Sequence, residues 1–310
     1  MNKKAYYVLI AAVLWIAFLV FSHLQRDESK DAETTTESST STRGQARKDE
    51  IPKILTNTLG MRFVLIPAGT FMMGSPSDEP GRYDRETQHQ VRLTRGFYMQ
   101  TTEVTQGQWE KVMKANPSFF KDCGEDCPVE QVSWNDAQRF LWKLNQMERL
   151  YTYSLPTEAE WEYACRAGTT TRFNWGDEAD CYKANYGVAF IRNECRGINP
   201  GKTMKVASFP PNAWGLYDMH GNVGEWCMDR FDNYHFDQVT DPRGGYASVD
   251  RVYRGGSWNV DARYCRSANR DADQPIVRIS ELGFRLVRAI SRYGMMNGRI
   301  RSVPPYPYDP

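Results

Sequence analysis

In a chain of 310 residues, three helix starts stand out by their caps, and that small number is the strongest constraint on the fold. Thr105 precedes Gln108, Ser133 precedes Asp136 and Thr157 precedes Glu160, each pair placing an oxygen side chain at the N-cap and an acceptor three residues on. The spacing predicts helices from Gln106 to Lys114, Trp134 to Met147 and Glu158 to Arg166. In the second, Trp134, Ala137, Phe140, Leu141 and Leu144 recur at helical spacing and define a buried face. Elsewhere the apolar segments are short and bounded by turn residues, as in Phe63 to Ile66 before Pro67, or Arg251 to Arg254 before Gly255 and Gly256. These read as strands. Few helices, short strands and long irregular connections make an α+β domain in which loops carry much of the mass. An aromatic content of 13% suits such an irregular interior, packed by large side chains.

Ahead of this domain, Lys3 and Lys4 precede an uncharged apolar run from Ala5 to Ser22, which Arg26, Asp27 and Glu28 bring to an end. The run is just long enough to span a bilayer, and the lysines favour the cytoplasmic side. Residues 1–4 are then a cytoplasmic stub and 5–22 a signal anchor. This places the protein in a bacterial inner membrane as a single-pass protein with its domain on the periplasmic side; secretion after signal cleavage is the alternative. Residues 23–50, rich in Ser, Thr and charge, cannot bury enough apolar area to offset their ordering entropy and read as a disordered tether. The globular domain is expected over 51–290, with an irregular tail over 291–310.

Lys and Arg total 39 against 38 Asp and Glu, a balance that gives no reason to expect nucleic acid as a partner. Seven cysteines suit an oxidising compartment, and an odd number leaves at least one unpaired. Cys123 with Cys127, and Cys181 with Cys195, can close short loops. None of the four histidines shows ligand spacing, and Ser257 has no evident His and Asp partners for a triad.

From Gly60 the chain reads GMRFVLIPAGTFMMGS, then EVTQGQW from Glu103, VSWNDAQRF from Val132 and LPTEAEWEYACRAG from Leu155. FPPNAWGLYDMHGNVGEW follows from Phe209, RGGSWN from Arg254 and LGFRLV from Leu282. Seven motifs in this order, over roughly residues 54 to 290, resemble the formylglycine-generating enzyme (sulfatase-modifying factor) family. The resemblance implies a variant C-type-lectin-like fold with little regular secondary structure.

Family members with oxidase activity convert a sulfatase cysteine to formylglycine with copper held by two cysteines after the Gly-Gly-Ser motif. A thiolate pair selects Cu(I). Here Val260 stands where the first of those cysteines would be, and Cys265 is the only thiol nearby. Copper is therefore not expected, and no catalytic residue is assigned. The resemblance also implies a calcium site with Asp218 and Glu225 as carboxylate ligands and the carbonyls of Gly221 and Val223 between them. All-oxygen ligation suits Ca2+. A second calcium site would begin at Asn185, though its acidic partner has no clear counterpart. Gly224 replaces the family's usual Trp. Of the family's two disulfides, one maps to Leu141 and Leu286, where an apolar contact is expected. The other joins the position of Cys165 to the strand after Gly-Gly-Ser, where Cys265 is displaced by about two residues. Cys227 competes for it, and a Cys227–Cys265 pair with Cys165 as the odd buried thiol is the favoured arrangement.

Three functions are compatible with these residues. The first is a membrane-anchored binding or structural module without oxidase activity, engaging an unidentified protein or small-molecule ligand. The second is an oxidoreductase acting on protein or thiol substrates with another metal arrangement. The third is a displayed lectin-like surface in which Asn259, Asp261, Arg263, Tyr264, Asn269, Asp271 and Asp273 face outward as a variable patch.

Overall fold

The computed structural model describes residues 51–149, 151–187, 195, 197–234, 237–246 and 248–290. The apolar run over 5–22, the tether over 23–50 and the tail over 291–310 lie outside the described residues. Among the described residues, no helix is long and apolar enough to cross a membrane.

The three capped starts become α1 (Gln106–Met113), α2 (Trp134–Met147) and α3 (Glu158–Arg166), each with a reciprocal capping box. Each cap contributes about 1 kcal/mol by meeting backbone donors that a helix leaves open. The first helix stops one residue earlier than expected, because Lys114 turns left-handed at φ 68° and its N–H closes back onto Glu110 O. On α2 the apolar face is buried as its spacing requires, with Phe140 and Leu144 fully inside. Phe140 stacks on Trp109 of α1 with ring centroids 5.3 Å apart.

Strands β1 (Ile54–Thr56), β2 (Arg62–Ile66), β5 (Phe97–Gln100), β12 (Val287–Ala289) and β6 (Tyr153–Ser154) form one sheet in that spatial order. Its strands are antiparallel, and β12 lies between β5 and β6, so the end of the domain is built into its beginning. A second sheet has the order β10 (Arg270–Asp273), β9 (Arg251–Arg254), β7 (Gly224–Arg230) and β11 (Leu282–Gly283). β3 (Gly69–Met73), β4 (His89–Leu93) and β8 (Val239–Thr240) make a third, small sheet. The architecture is α+β, with short strands and long connections.

Buried ion pairs hold those connections. Arg254, Arg266, Arg270 and Arg285, at 1% exposure or less, are among the largest fully buried side chains. Arg270 clamps Glu158 with both arms of its guanidinium, at 2.8 and 2.7 Å. Arg254 bonds Glu162, Arg266 pairs with Glu79 and Glu86, and Arg285 pairs with Glu225. The arginines after Gly-Gly-Ser are thereby tied to α3 and to the 79–86 loop. Removing one partner of such a pair strands a charge out of water, at a cost of about 3–5 kcal/mol.

Candidate functional site

The Gly-Gly-Ser motif follows β9 and leads through a short 3-10 turn, Ala262–Cys265, into β10. Beside it lies a cavity of about 220 Å³ whose wall includes Tyr253, Ser257, Asn259, Val260, Tyr264, Asn269, Asp271 and Glu281. Glu281 accepts from Asn259 Nδ2 and Ser280 Oγ, both at 2.9 Å. Asn269 donates to Tyr264 O, while its Oδ1 is buried without a hydrogen-bond partner among the described residues. Asp271 pairs with Arg85 at 3.0 Å, and burial raises its carboxyl above the usual range. Gly224 borders this space: a Cβ there would lie 2.9 Å from Leu282 Cδ2 and 3.2 Å from Tyr253 Cδ2. The wall is therefore neutral and acidic, with hydrogen-bonding groups over an apolar floor.

Of the seven residues expected to face outward, the structure gathers Asn259, Tyr264, Asn269 and Asp271 around this cavity. Asp261, Arg263 and Asp273 are not part of its wall. The expectation of outward orientation is corrected for two of them. Asn269 is 3% exposed, because its amide braces the Tyr264 carbonyl, and Asp261 is 9% exposed, because its Oδ1 caps the turn by accepting from Arg263 N. The sequence reading missed Tyr253, Ser257, Glu281 and Leu282 as wall residues. Gly224 in place of a bulky residue was the signal that could have found them.

Two disulfides form, Cys123–Cys127 and Cys181–Cys195. The expected Cys227–Cys265 disulfide does not, and the pairing is corrected. Cys227 is a buried thiol in the core under α3, whereas Cys265 packs with Phe173, Tyr186 and Cys195 in a separate cluster. The Cys265 sulfur lies beneath Gly256, where a Cβ would approach it to 2.5 Å. Opposite Cys165 stands Ser267, with its Oγ 3.8 Å from the sulfur. The two-residue displacement thus delivers a hydroxyl, not a thiol, to that place.

Cys165 also lies 3.6 Å from His220 Nε2, which resembles a nucleophile and its base. The electrostatics oppose that role. His220 Nδ1 faces Cys265 O at 2.7 Å and its Nε2 accepts from Asn174 N at 3.1 Å, so Nδ1 carries the proton. Burial pushes His220 down to about 4 and the Cys165 thiol up to about 12. Near neutral pH both stay uncharged, and a neutral, buried thiol is inert.

Of the expected calcium residues, Glu225 and Asp218 lie near Arg285. Glu225 accepts from Arg285 Nε and Nη2, both at 2.6 Å, and from Trp161 Nε1 at 2.7 Å. Asp218, at φ 56°, accepts from Ala207 N at 2.6 Å. Gly221 lies against Asn185, whose carbonyl would be 2.3 Å from a Cβ placed there, and Asn185 O accepts from Asn222 N. Val223 is fully buried. Glu103 adds a third carboxylate that sequence reasoning missed. Burial, then the charge of Asp218, raises it well above the usual range, and burial pushes Asp218 up to about 6. Glu103 therefore holds its proton more tightly than an ordinary carboxyl, and Arg285 is the counter-ion of Glu225. Glu103 Oε2 and Asn185 Oδ1 are buried without hydrogen-bond partners among the described residues. These two oxygens are open acceptors of the set; Glu225 is filled by Arg285 and Trp161, and no group of three metal-ligating side chains occurs among the described residues.

Residues 43–290 match the model of the sulfatase-modifying factor enzyme 1-like domain. The formylglycine-generating enzyme of Mus musculus is 31% identical over 285 residues, covering 72% of this chain and 74% of that protein. Among solved structures, Treponema denticola variable protein 1 aligns with a TM-score of 0.67 at 30% identity, over 77% of this chain and all of that one. PvdO from Pseudomonas aeruginosa aligns with a TM-score of 0.65 at 28% identity, over 78% of this chain and all of that one. With its lectin-like fold, its ordered motifs and a family match covering most of its length, the chain belongs to the sulfatase-modifying factor (formylglycine-generating enzyme) family.

Proposed function

We propose that this protein is a membrane-anchored, extracytoplasmic binding module of the family that does not act as a formylglycine oxidase, and that its ligand enters the cavity beside the Gly-Gly-Ser loop. One observation carries the reading: the wall of that cavity contains Val260 and no cysteine, and the nearest thiol, Cys265, is buried behind Gly256. Copper(I) chemistry of the family's kind needs two soft thiolates open to the substrate. Asn259, Asn269, Tyr264 and Glu281 instead offer amide, hydroxyl and carboxylate groups suited to a neutral polar ligand such as a sugar or a peptide backbone. Asp218 and Glu225, with the carbonyls of Gly221 and Val223, would hold a Ca2+ ion once Arg285 releases Glu225. Residues 5–22 would hold the domain at the outer face of the inner membrane.

The test is direct. Purified protein supplied with copper and a sulfatase-type cysteine peptide is expected to leave the peptide mass unchanged, and elemental analysis is expected to find calcium without stoichiometric copper. Conversion of the cysteine to formylglycine in mass spectra overturns the reading.

A further inference from the structure

Away from the Gly-Gly-Ser loop, where β7 runs out against the start of α3, the structure has a second cavity of about 280 Å³. We propose that it is a binding site for a small organic cation, a primary ammonium on a short apolar stem.

The charge of the wall points to that class. Glu158, Asp229 and Asp232 bring three carboxylates, and Arg270 brings the matching guanidinium. Four of the five N–H donors of Arg270 are bonded within the protein. Its Nε and Nη2 bind Glu158, its Nη1 bonds Asp232 O at 2.7 Å, and its flat face covers the Tyr234 ring at 3.8 Å. The pair neutralises itself, which leaves an anionic ligand little net positive charge to bind. What remains is acidic.

Asp229 carries the argument furthest. It is 98% buried by its 2% exposure, and one oxygen, Oδ2, accepts from Glu158 N at 2.9 Å. Its other oxygen, Oδ1, lies against Gly244, and the side chain forms part of the cavity wall. On the same wall, Tyr234 Oη is buried without a hydrogen-bond partner among the described residues, and such an unmet polar atom is costly and is a feature the N–H of a guest would satisfy.

The two remaining carboxylates are brought side by side by Gly244 and Gly245. A Cβ on Gly244 would lie 2.8 Å from Asp229 Cβ and 3.2 Å from its Oδ1, and one on Gly245 would overlap Asp232 Oδ2. Consecutive glycines thus let the backbone pass directly against both acids, which therefore flank adjacent residues. His89 adds a further acceptor. Its Nδ1 donates to Thr87 O at 3.0 Å, which leaves Nε2 as a lone pair. Carboxylates and an imidazole lone pair match the three N–H donors of an ammonium better than they match a neutral hydroxyl.

The remainder of the wall is apolar: Met73, Ala159, Val239 and Pro242, with the Tyr234 ring. That lining and a volume many times that of a bare ion favour an organic cation over a metal, and no group of three metal-ligating side chains occurs among the described residues. This site is independent of the cavity at the Gly-Gly-Ser loop, so either proposal can fail without the other.

The experiment uses the full-length protein and three probes of one shape: phenethylamine, 2-phenylethanol and 3-phenylpropionate, titrated by calorimetry and by ligand-observed NMR. The amine is expected to bind saturably, the alcohol about tenfold or more weaker, and the carboxylate not at all. Asp229→Asn keeps the acceptor for Glu158 N but cannot give up a proton to become the counter-ion of the bound ammonium, and Asp232→Asn removes a charge from a less buried place. Each is expected to weaken the amine by about tenfold or more. Asn259→Ala, in the other cavity, is expected to leave amine binding unchanged. Equal binding of amine and alcohol, amine binding indifferent to both Asp substitutions, or no amine binding up to about 10 mM overturns the proposal. So does a melting-temperature rise with Ca2+ or Mg2+ alone that Asp229→Asn abolishes, since the site would then be a metal site.

Discussion

Replacing Asp229 by Asn should make the protein more stable as pH rises, relative to the native sequence. Burial, then the charge of Glu158, pushes the Asp229 carboxyl up to about 8, with Glu160 adding to the shift and Arg270 opposing it. In the unfolded chain the same group titrates near 3.9. Between those values the native state holds a proton that the unfolded state has released, so the native state binds more protons and its stability falls as pH rises. The loss begins as pH passes about 4 and ends near the folded value. Its slope for one group is about 1.4 kcal/mol per pH unit, which gives roughly 3 kcal/mol between pH 5 and pH 7. Asparagine imitates the protonated acid, retains an oxygen for Glu158 N and never ionises. Urea denaturation of both proteins at pH 5, 6 and 7 isolates this group, because every other titration is common to the two. The advantage of Asp229→Asn is expected to grow by about 3 kcal/mol across that range. A difference that stays constant with pH would mean that Asp229 is already ionised in the native protein, and the burial argument would fail.

Arg254→Met should cost about 3–5 kcal/mol, because it leaves Glu162 with Arg166 alone and deprives Glu158 of a neighbour at 3.4 Å. For a domain of this size that is a fall in melting temperature of roughly 10 °C by differential scanning fluorimetry, and a fall within a degree or two would show the pair to be dispensable. If Asp218 and Glu225 hold calcium, chelation should lower the melting temperature by the linkage free energy, about 2.7 kcal/mol at a hundredfold excess over Kd. Re-addition of Ca2+ but not Mg2+ should restore it, and a melting temperature indifferent to chelation would remove the site.

The helices were legible because a cap is a local signal: Thr105, Ser133 and Thr157 each meet their acceptor three residues away. β9 was legible for a similar reason, since Gly255 and Gly256 end it abruptly. The site was legible only in part. Asn259, Tyr264, Asn269 and Asp271 are close in sequence, whereas Tyr253 and Glu281 reach the same cavity through the pairing of β9 and β11 with β7. Nothing local announces such pairing. The burial of Arg266 and Arg270 was not legible, because Glu86 is 180 positions from Arg266 and Glu158 is 112 from Arg270. A cavity such as the one at Asp229 is harder still, as its wall comes from both ends of the domain.

The loss of the family's disulfides need not loosen the domain, and the magnitudes show why. Leu141 and Leu286, standing where the first cross-link would be, belong to one core cluster at 3% and 0% exposure. Full burial of a leucine side chain contributes about 1.5–3 kcal/mol, so the two together match the roughly 2–4 kcal/mol of a typical disulfide. At the second place Ser267 faces Cys165 without a covalent bond, yet its neighbour Arg266 is fixed by Glu79 and Glu86, and Arg270 by Glu158. Covalent closure acts mainly on the unfolded chain, whereas buried ion pairs define one arrangement of the folded one. A scaffold held in that way keeps the Gly-Gly-Ser loop in place without thiols. Its cavity is thereby free of the residue requirements of copper chemistry and open to substitution at Asn259 and Val260.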